Sequence, residues 1–318
     1  MPKSLLEYAD WLDGRDLVWP RAPVLKAPTA GPKLESLNGI RAVLWNIYGT
    51  LLRIADGRLI FLHPQQIRMQ VALEKTAREF NMWNSMYRTP GAPWEYLFAR
   101  YRKALEHQEL GRYSPGDSPE VNSTTVWKTI IRELKKKDYQ YDVAFYGDID
   151  GFSEKVAYFF QASLQGLAAE HGALEAVLSV SQAGLKQGLF GDAQPFTPVQ
   201  MLRAFRAAST LPPPIDLFAA ECSVLSYQEG LRMPSRSLFS KVLARFARLG
   251  IEPGEILHVS SRAQPDLAAA QKAGMRTAFY ARGGPLPGAP GDESDEPPFE
   301  PDCILTDLNQ LRQVLSAG

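Results

Sequence analysis

Cysteine, histidine and net charge are all scarce in this sequence. Its 318 residues include two cysteines and four histidines, which excludes a disulfide scaffold and a cysteine-rich zinc site. Lys+Arg and Asp+Glu each number 35, so the formal charge is zero and no overall field attracts nucleic acid or an anionic membrane surface. The sequence also lacks a run of about 18 apolar residues and an N-terminal apolar run of signal-peptide length. We therefore expect a cytoplasmic protein with neither nucleic-acid nor membrane partners.

The composition is that of an ordinary globular protein. Hydrophobic residues make up 45% of the chain and charged residues 22%, which excludes disordered and coiled-coil classes. At about 100–200 residues per domain, this length predicts two domains, or one domain that carries an insertion. Changes in pattern along the chain place an N-terminal arm at 1–38, an α/β core at 39–52 and 171–318, and a helical cap insertion at 53–170.

Periodicity predicts the elements within these parts. A nearly continuous apolar run at 40–46 is typical of a buried parallel strand, and apolar residues recur at helical spacing through much of 62–165. After residue 172, helices alternate with short apolar strands, as in βαβ units. The arm contains a short amphipathic stretch at 5–12. Predicted helices are 67–80, 94–105, 125–134, 152–167, 173–183, 197–206, 237–249 and 265–273, with one more at the C-terminus. Predicted strands are 40–46, 185–190, 217–220, 256–260, 277–280 and 303–305. The acidic Pro/Gly-rich segment 283–301 is predicted to be a mobile loop.

Four short segments at strand ends or helix starts follow one another in a particular order. They are Asn-Ile-Tyr-Gly-Thr-Leu at 46–51, Leu-Phe-Gly-Asp-Ala-Gln at 189–194, Gly-Leu-Arg-Met-Pro at 230–234 and Ser-Ser-Arg-Ala-Gln-Pro-Asp at 260–266. Ligand crevices of open α/β sheets lie at the carboxyl ends of the strands. These segments therefore predict a site at that edge of the sheet.

In this order the four segments resemble the motifs of the haloacid dehalogenase (HAD) superfamily of phosphatases and dehalogenases. The resemblance covers about residue 40 to the C-terminus and leaves out the arm. It implies a Rossmannoid parallel sheet with helices on both faces. It also implies a cap domain inserted between the first and second motifs, where the apolar spacing predicts helices.

The resemblance also assigns catalytic positions, and this sequence departs from the family at most of them. Asn46 takes the place of the nucleophilic Asp, and a neutral amide is a far poorer nucleophile than a carboxylate. Tyr48 replaces the acid–base Asp of phosphatases, as in many dehalogenases. Gly191 replaces the motif-two hydroxyl residue, and Met233 replaces the motif-three Lys. Loss of one such charge-stabilising donor costs about 10²–10³ in rate.

The magnesium site implied by the family is altered in the same way. Its two anionic ligands correspond to Asn46 and Ser261, and neutral ligands bind Mg²⁺ poorly. We therefore expect no metal and no other cofactor. Asp266 is left as a candidate catalytic carboxylate, although a carboxylate at a helix start also caps free N–H groups.

Other polar residues of the four motifs form a candidate binding surface. Arg232 and Arg262 are suited to bidentate pairing with a carboxylate or phosphate. The remaining candidates are Thr50, Asp192, Gln194, Ser260 and Ser261.

Three functions follow from these residues. We favour a degenerate family member that binds a small-molecule or phosphorylated ligand, or a protein partner, in the cap–core cleft. The alternative is an active phosphatase-type hydrolase with an altered mechanism, in which Asp192 or Asp266 supplies the carboxylate. A further alternative is an assembly subunit that forms a homodimer through its arm or its cap.

Overall fold

The computed structural model describes residues 1–28, 30–85, 91–110, 113–209, 217–282 and 299–315. The helices are α1 Leu5–Asp13, α2 Gln66–Glu79, α3 Pro93–Gln108, α4 Ser123–Lys135, α5 Val143–Tyr146, α6 Ile149–Leu164, α7 Ala173–Gln182, α8 Thr197–Ala208, α9 Ser226–Glu229, α10 Arg236–Arg248, α11 Ala268–Lys272 and α12 Leu311–Val314. The strands are β1 Ala42–Trp45, β2 Leu52–Ile54, β3 Ser118–Pro119, β4 Leu167–Ala169, β5 Lys186–Gly191, β6 Val224–Leu225, β7 Leu231–Arg232, β8 Ile256–Ser260, β9 Arg276–Tyr280 and β10 Cys303–Leu305. Most of the predicted mobile loop, residues 283–298, lies outside the described ranges.

A six-stranded sheet in the order β10-β9-β8-β1-β5-β6 forms the centre of the molecule. Every neighbouring pair in it is parallel. Successive side chains of a strand point to opposite faces, and β1 shows this directly. Val43 and Trp45 pack in one apolar cluster with α7 and α8, while Ala42 and Leu44 pack in another with α10. The predicted parallel α/β sheet with helices on both faces is confirmed.

Four helices between β2 and β4, namely α2, α3, α4 and α6, form a helical layer with its own apolar core. Its centre is aromatic, since the ring of Phe160 lies 4.9 Å from that of Tyr101 and 5.2 Å from that of Trp127. These helices occupy the part of the chain where the sequence predicts an insertion. The division of the chain into domains remains a prediction.

Two short antiparallel ribbons join the helical layer to the sheet. The chain leaves the sheet through β2 and returns through β4, and these two strands pair with each other. Within the helical layer, β3 pairs with β7, which belongs to the third sequence motif. The layer therefore contacts the α/β part both where the chain crosses over and beside the predicted site.

Three predicted elements are wrong in detail. Residues 217–220 are not a strand. The backbone N–H of Ala219 does bond to Gln187, but the chain turns at Ala220–Cys222, and β6 is the edge strand. Such a short apolar run does not by itself distinguish a strand from other buried chain. The helix predicted to reach residue 167 ends at Leu164, because 167–169 pair with β2.

The third predicted element that is wrong in detail is the helix at 265–273. The chain there forms a π-helical turn at Ala263–Leu267 and becomes α-helical only at Ala268. Among the described residues, no helix combines the length and apolarity needed to cross a bilayer.

Candidate functional site

Three central strands deliver the predicted site residues to one edge of the sheet. Asn46 follows β1, Asp192 follows β5, and the segment 260–266 follows β8. The Asn46 side chain is buried, and its Nδ2 donates a 2.6 Å hydrogen bond to Oδ2 of Asp266. The position that the family reserves for a nucleophile is thus occupied by a hydrogen-bond donor that already has a partner.

Asp266 is completely buried at this edge. Besides Asn46, its carboxylate accepts hydrogen bonds from Ser260 Oγ at 2.9 Å and Arg262 Nη2 at 2.7 Å. Asp266 lies in the first turn of the π-helical segment that leads into α11, and its hydrogen-bond donors there are side chains rather than backbone N–H groups.

Arg262 connects Asp266 to Asp192. Its guanidinium lies 2.7 Å from Oδ1 of Asp266 and 3.1 Å from Oδ2 of Asp192. Burial disfavours the charged guanidinium, but the two carboxylates outweigh burial and raise the pKa of Arg262 above its ordinary value. This arginine, predicted as a ligand-binding residue, is therefore already neutralised by the protein.

Asp192 closes this network on the side of β5. Its Oδ1 accepts a 2.8 Å hydrogen bond from the backbone N–H of Met233. Burial raises the pKa of its carboxyl, Arg262 and the Met233 N–H lower it, and the Asp266 carboxylate raises it further; the net direction is upward. We refer to Asn46, Asp192, Arg262 and Asp266 together as the edge network.

The substituted positions Gly191 and Met233 lie beside the edge network. Gly191 has φ +136°, and a Cβ there would lie 3.1 Å from Nδ2 of Asn46. The absence of a side chain at 191 therefore leaves room for the Asn46 amide. Met233 is buried in the apolar cluster that contains Phe190, where a charged lysine would be costly.

Four further predicted site residues have polar groups that are engaged with the protein. The Tyr48 hydroxyl lies 2.7 Å from both Thr197 Oγ1 and Gln200 Oε1, and burial raises its pKa. Thr50 Oγ1 accepts a hydrogen bond from the backbone N–H of Ser261 at 3.0 Å.

Gln194 forms hydrogen bonds to the helical layer. Its side chain accepts from the Ser123 N–H at 2.8 Å and donates to the Val121 carbonyl at 2.7 Å. Ser260 accepts from the backbone N–H of Arg262 in addition to donating to Asp266.

The edge network does not fit the divalent cation that the family resemblance implies. The Asp266 carboxylate already accepts from three donors, and the Arg262 cation lies against both of the carboxylates that could otherwise bind a metal. Among the residues that the structure describes, no three His, Cys, Asp or Glu side chains form a group able to hold a metal ion. A hard dication needs several free oxygen ligands, so no step of a reaction can be assigned to a metal here.

A cavity of about 1100 Å³ opens between the edge network and the helical layer. Asp192 and Arg262 lie in its wall, together with Arg232 and Met233. An apolar wall is formed by residues 59–62, Leu105 and Val121. The remaining lining residues are mostly charged or polar: Asp56, Arg58, Arg102, Glu106, Glu109, Glu120, Ala193, Gln194 and Gln264.

Glu120 is a cavity residue that the sequence analysis missed. It follows β3, and its backbone N–H bonds to the Gly230 carbonyl. Burial and the nearby Asp192 raise the pKa of Glu120 from 4.5 to about 7, although Ser226 and Arg232 act in the opposite direction. No motif marks this glutamate, because only the pairing of β3 with β7 brings it to the cavity.

The family model described as HAD-hydrolase-like matches residues 231–311, which include the third and fourth motifs. Over this part of the chain, the match bears out the resemblance to the HAD superfamily. No curated protein matches the chain.

Several solved structures of HAD proteins are similar to this chain. A HAD phosphatase from Thermococcus onnurineus is 18% identical, with a TM-score of 0.47, and the match covers 87% of this chain and 99% of that one. A 2-haloacid dehalogenase from Pseudomonas syringae pv. Tomato DC3000 is 17% identical, with a TM-score of 0.49 and coverage of 86% and 97%. An L-2-haloacid dehalogenase from Xanthobacter autotrophicus is 20% identical, with a TM-score of 0.40 and coverage of 86% and 96%. With so little identity and such low TM-scores, these likenesses support no inference about the reaction of this chain.

Proposed function

We propose that this HAD-like protein binds a small molecule with an apolar body and an anionic group in the 1100 Å³ cavity, and does not carry out the covalent hydrolysis of its superfamily. The observation that carries the proposal is the edge network. Asn46 donates to Asp266, and Arg262 pairs with both Asp266 and Asp192.

The loss of covalent chemistry follows from the charges in the edge network. An amide at residue 46 supplies no anionic oxygen to attack a phosphoryl group or a carbon–halogen bond. The carboxylates of Asp192 and Asp266 are both paired with the Arg262 guanidinium, so neither is free to attack a substrate. No group in the edge network thus combines anionic charge with freedom to react.

The ligand class follows from the rest of the cavity. Arg58 and Arg232 line it, and among the described residues neither has an ion-pair partner within 4 Å. Arginine holds carboxylates and phosphates through paired N–H groups. The apolar wall at 59–62 suits a hydrophobic body on the same molecule.

Thermal denaturation with phenyl phosphate as the probe tests binding. The ligand should raise the Tm of the wild-type protein through mass action. The rise should be lost in Arg232→Gln and Arg58→Gln, and kept in Arg248→Gln, which changes an exposed arginine outside the cavity. An absent rise in the wild-type protein, or equal rises in all variants, would contradict this ligand class.

Glu120 supports a second candidate, a hydrolase with an altered mechanism. A cavity carboxyl with a pKa of about 7 has the acidity suited to a general base near neutral pH, whereas Asp192 and Asp266 are both paired with Arg262. Aryl phosphate hydrolysis and halide release from 2-chloropropionate should be measured on the wild-type protein, Glu120→Gln and Asp266→Asn. We expect equal background rates in all three, and a wild-type rate lost in Glu120→Gln would favour the hydrolase.

A further inference from the structure

The N-terminal arm is attached at one end to the helical layer. Tyr8, Ala9 and Leu12 of α1 are fully buried or nearly so in the apolar core of that layer. The backbone N–H of Lys3 bonds to the Phe145 carbonyl at 3.0 Å. The apolar face of α1 is thus covered by this chain itself, which leaves little of it for the arm-mediated homodimer considered from the sequence.

The same helix is also tied to the α/β part through α8. Arg203 of α8 pairs with Asp13 of the arm and with the Tyr158 hydroxyl of the helical layer. Arg206 lies 3.8 Å from Asp10. One arginine therefore links the arm, the helical layer and the α/β part.

Beyond α1, the arm crosses the point where the helical layer returns to the sheet. Gly166 lies between α6 and β4, and a Cβ at this residue would lie 2.5 Å from the Pro20 carbonyl oxygen and would clash with the Arg21 backbone. Trp19 packs edge-on against Phe159 of α6, with ring centroids 5.3 Å apart. The arm backbone thus lies directly on one of the two connections between the helical layer and the sheet.

At its other end the arm is part of the α/β structure. Lys33 pairs antiparallel with Ile304 of the edge strand β10, with hydrogen bonds of 2.9 Å in both directions. The Leu37 N–H bonds to the Val314 carbonyl at 2.8 Å. The described residues of the arm therefore contact the helical layer, the connection and the far edge of the sheet.

We propose that the described parts of the arm, residues 1–28 and 30–37, act as a strap that holds the helical layer against the α/β part and so limits access to the cavity. The contacts that close the cavity lie elsewhere, at the Glu120–Gly230 and Ser123–Gln194 hydrogen bonds. Loosening the strap should therefore open those contacts while the sheet stays intact. This conclusion is independent of the ligand or reaction in the cavity.

Hydrogen exchange of Gly166→Ala tests the strap, with Gly254→Ala as the matched control. A Cβ at Gly254 has no heavy atom within 4 Å, and neither glycine has a positive φ, so the two variants differ in whether the arm is displaced. In Gly166→Ala we expect the Glu120 and Ser123 amides to exchange at least about tenfold faster, with the amides of β1 and β8 unchanged. In Gly254→Ala all of these amides should exchange at the wild-type rate.

A second variant covers the case in which Gly166→Ala does not fold. Asp10 and Asp13 are 50% and 61% exposed, so a double change of both to Asn should fold while it removes the ion pairs between α1 and α8. We expect a severalfold rise in exchange at the same two amides. Unchanged exchange there in either folded variant, or an equal rise in β1 and β8, would overturn the proposal.

Discussion

Arg262→Met is the most direct test of the edge network. Methionine replaces the unbranched apolar stem of the arginine but removes the guanidinium that lies between two carboxylates. It leaves Asp192 without the Arg262 cation. Among the described residues, Asp266 then keeps the hydrogen bonds from Asn46 and Ser260. The fold must then hold two carboxylates near each other with no cation between them.

The magnitude follows from how deeply each partner is buried. Removing one member of a fully buried ion pair costs about 3–5 kcal/mol, because the other charge is left uncompensated. Here the side chain of Asp266 is 0% exposed, Arg262 is 19% exposed and Asp192 is 29% exposed. Since water reaches part of the network, we expect Arg262→Met to lower the free energy of unfolding by about 2–3 kcal/mol, which is no more than the lower end of that range.

Urea unfolding at pH 7 measures this loss, and Arg232→Met is the matched control. Arg232 lines the same cavity and is exposed, so its replacement should change the free energy of unfolding by no more than about 0.5 kcal/mol. The double variant with Asp266→Asn should lose less than the sum of the single losses, since both changes break the same contact. Strictly additive losses, or a loss in Arg262→Met no larger than in Arg232→Met, would refute the edge network as an energetic unit.

Two other residues give independent predictions. Gly49 has φ +85°, and a Cβ there would lie 2.8 Å from the Gly57 backbone, whereas Gly184 has φ +72° and open space around it. Gly49→Ala should therefore lower the free energy of unfolding by at least about 2 kcal/mol more than Gly184→Ala, because the second variant has the unfavourable backbone conformation but no steric clash. Equal urea midpoints for the two variants would contradict the close approach of Gly49 to Gly57. Glu120 has its pKa raised from 4.5 to about 7, so the native state binds its proton more tightly than the unfolded state, and this group's contribution to stability falls as pH rises through that window. The free energy of unfolding of Glu120→Gln should therefore rise relative to that of the wild-type protein between pH 4.5 and pH 8, by at most about 3 kcal/mol. Urea unfolding at the two pH values measures this, and a difference between the two proteins that is the same at both would contradict the raised pKa.

The sheet and most helices were predictable because their signals are local. The continuous apolar run of β1 and the helical spacing in α4 reflect burial on two faces and on one face respectively. Two-residue elements such as β6 and β3 have no such signal, since a strand that short exists only through its partner. The predicted strand at 217–220 is wrong for a different reason, since a short apolar run does not distinguish a strand from other buried chain.

The site was predictable in location but not in its contacts. The four motifs placed Asn46, Asp192 and Asp266 at one edge of the sheet, because parallel strands end together there. The sequence could not show that Asn46 bonds to a carboxylate 220 positions away, or that Asp266 accepts from side chains rather than capping a helix. Glu120 and the course of the arm depend wholly on tertiary pairing.

The substitutions at the catalytic positions are consistent with one another. Asn46 donates to the carboxylate of Asp266 at 2.6 Å, a distance at which a second carboxylate would be strongly repelled. The amide fits beside β5 because Gly191 has no side chain. Arg262 then supplies the positive charge that Asp192 and Asp266 require. Restoring an aspartate at 46 alone would thus set three carboxylates around one guanidinium, so the four residues of the edge network depend on one another.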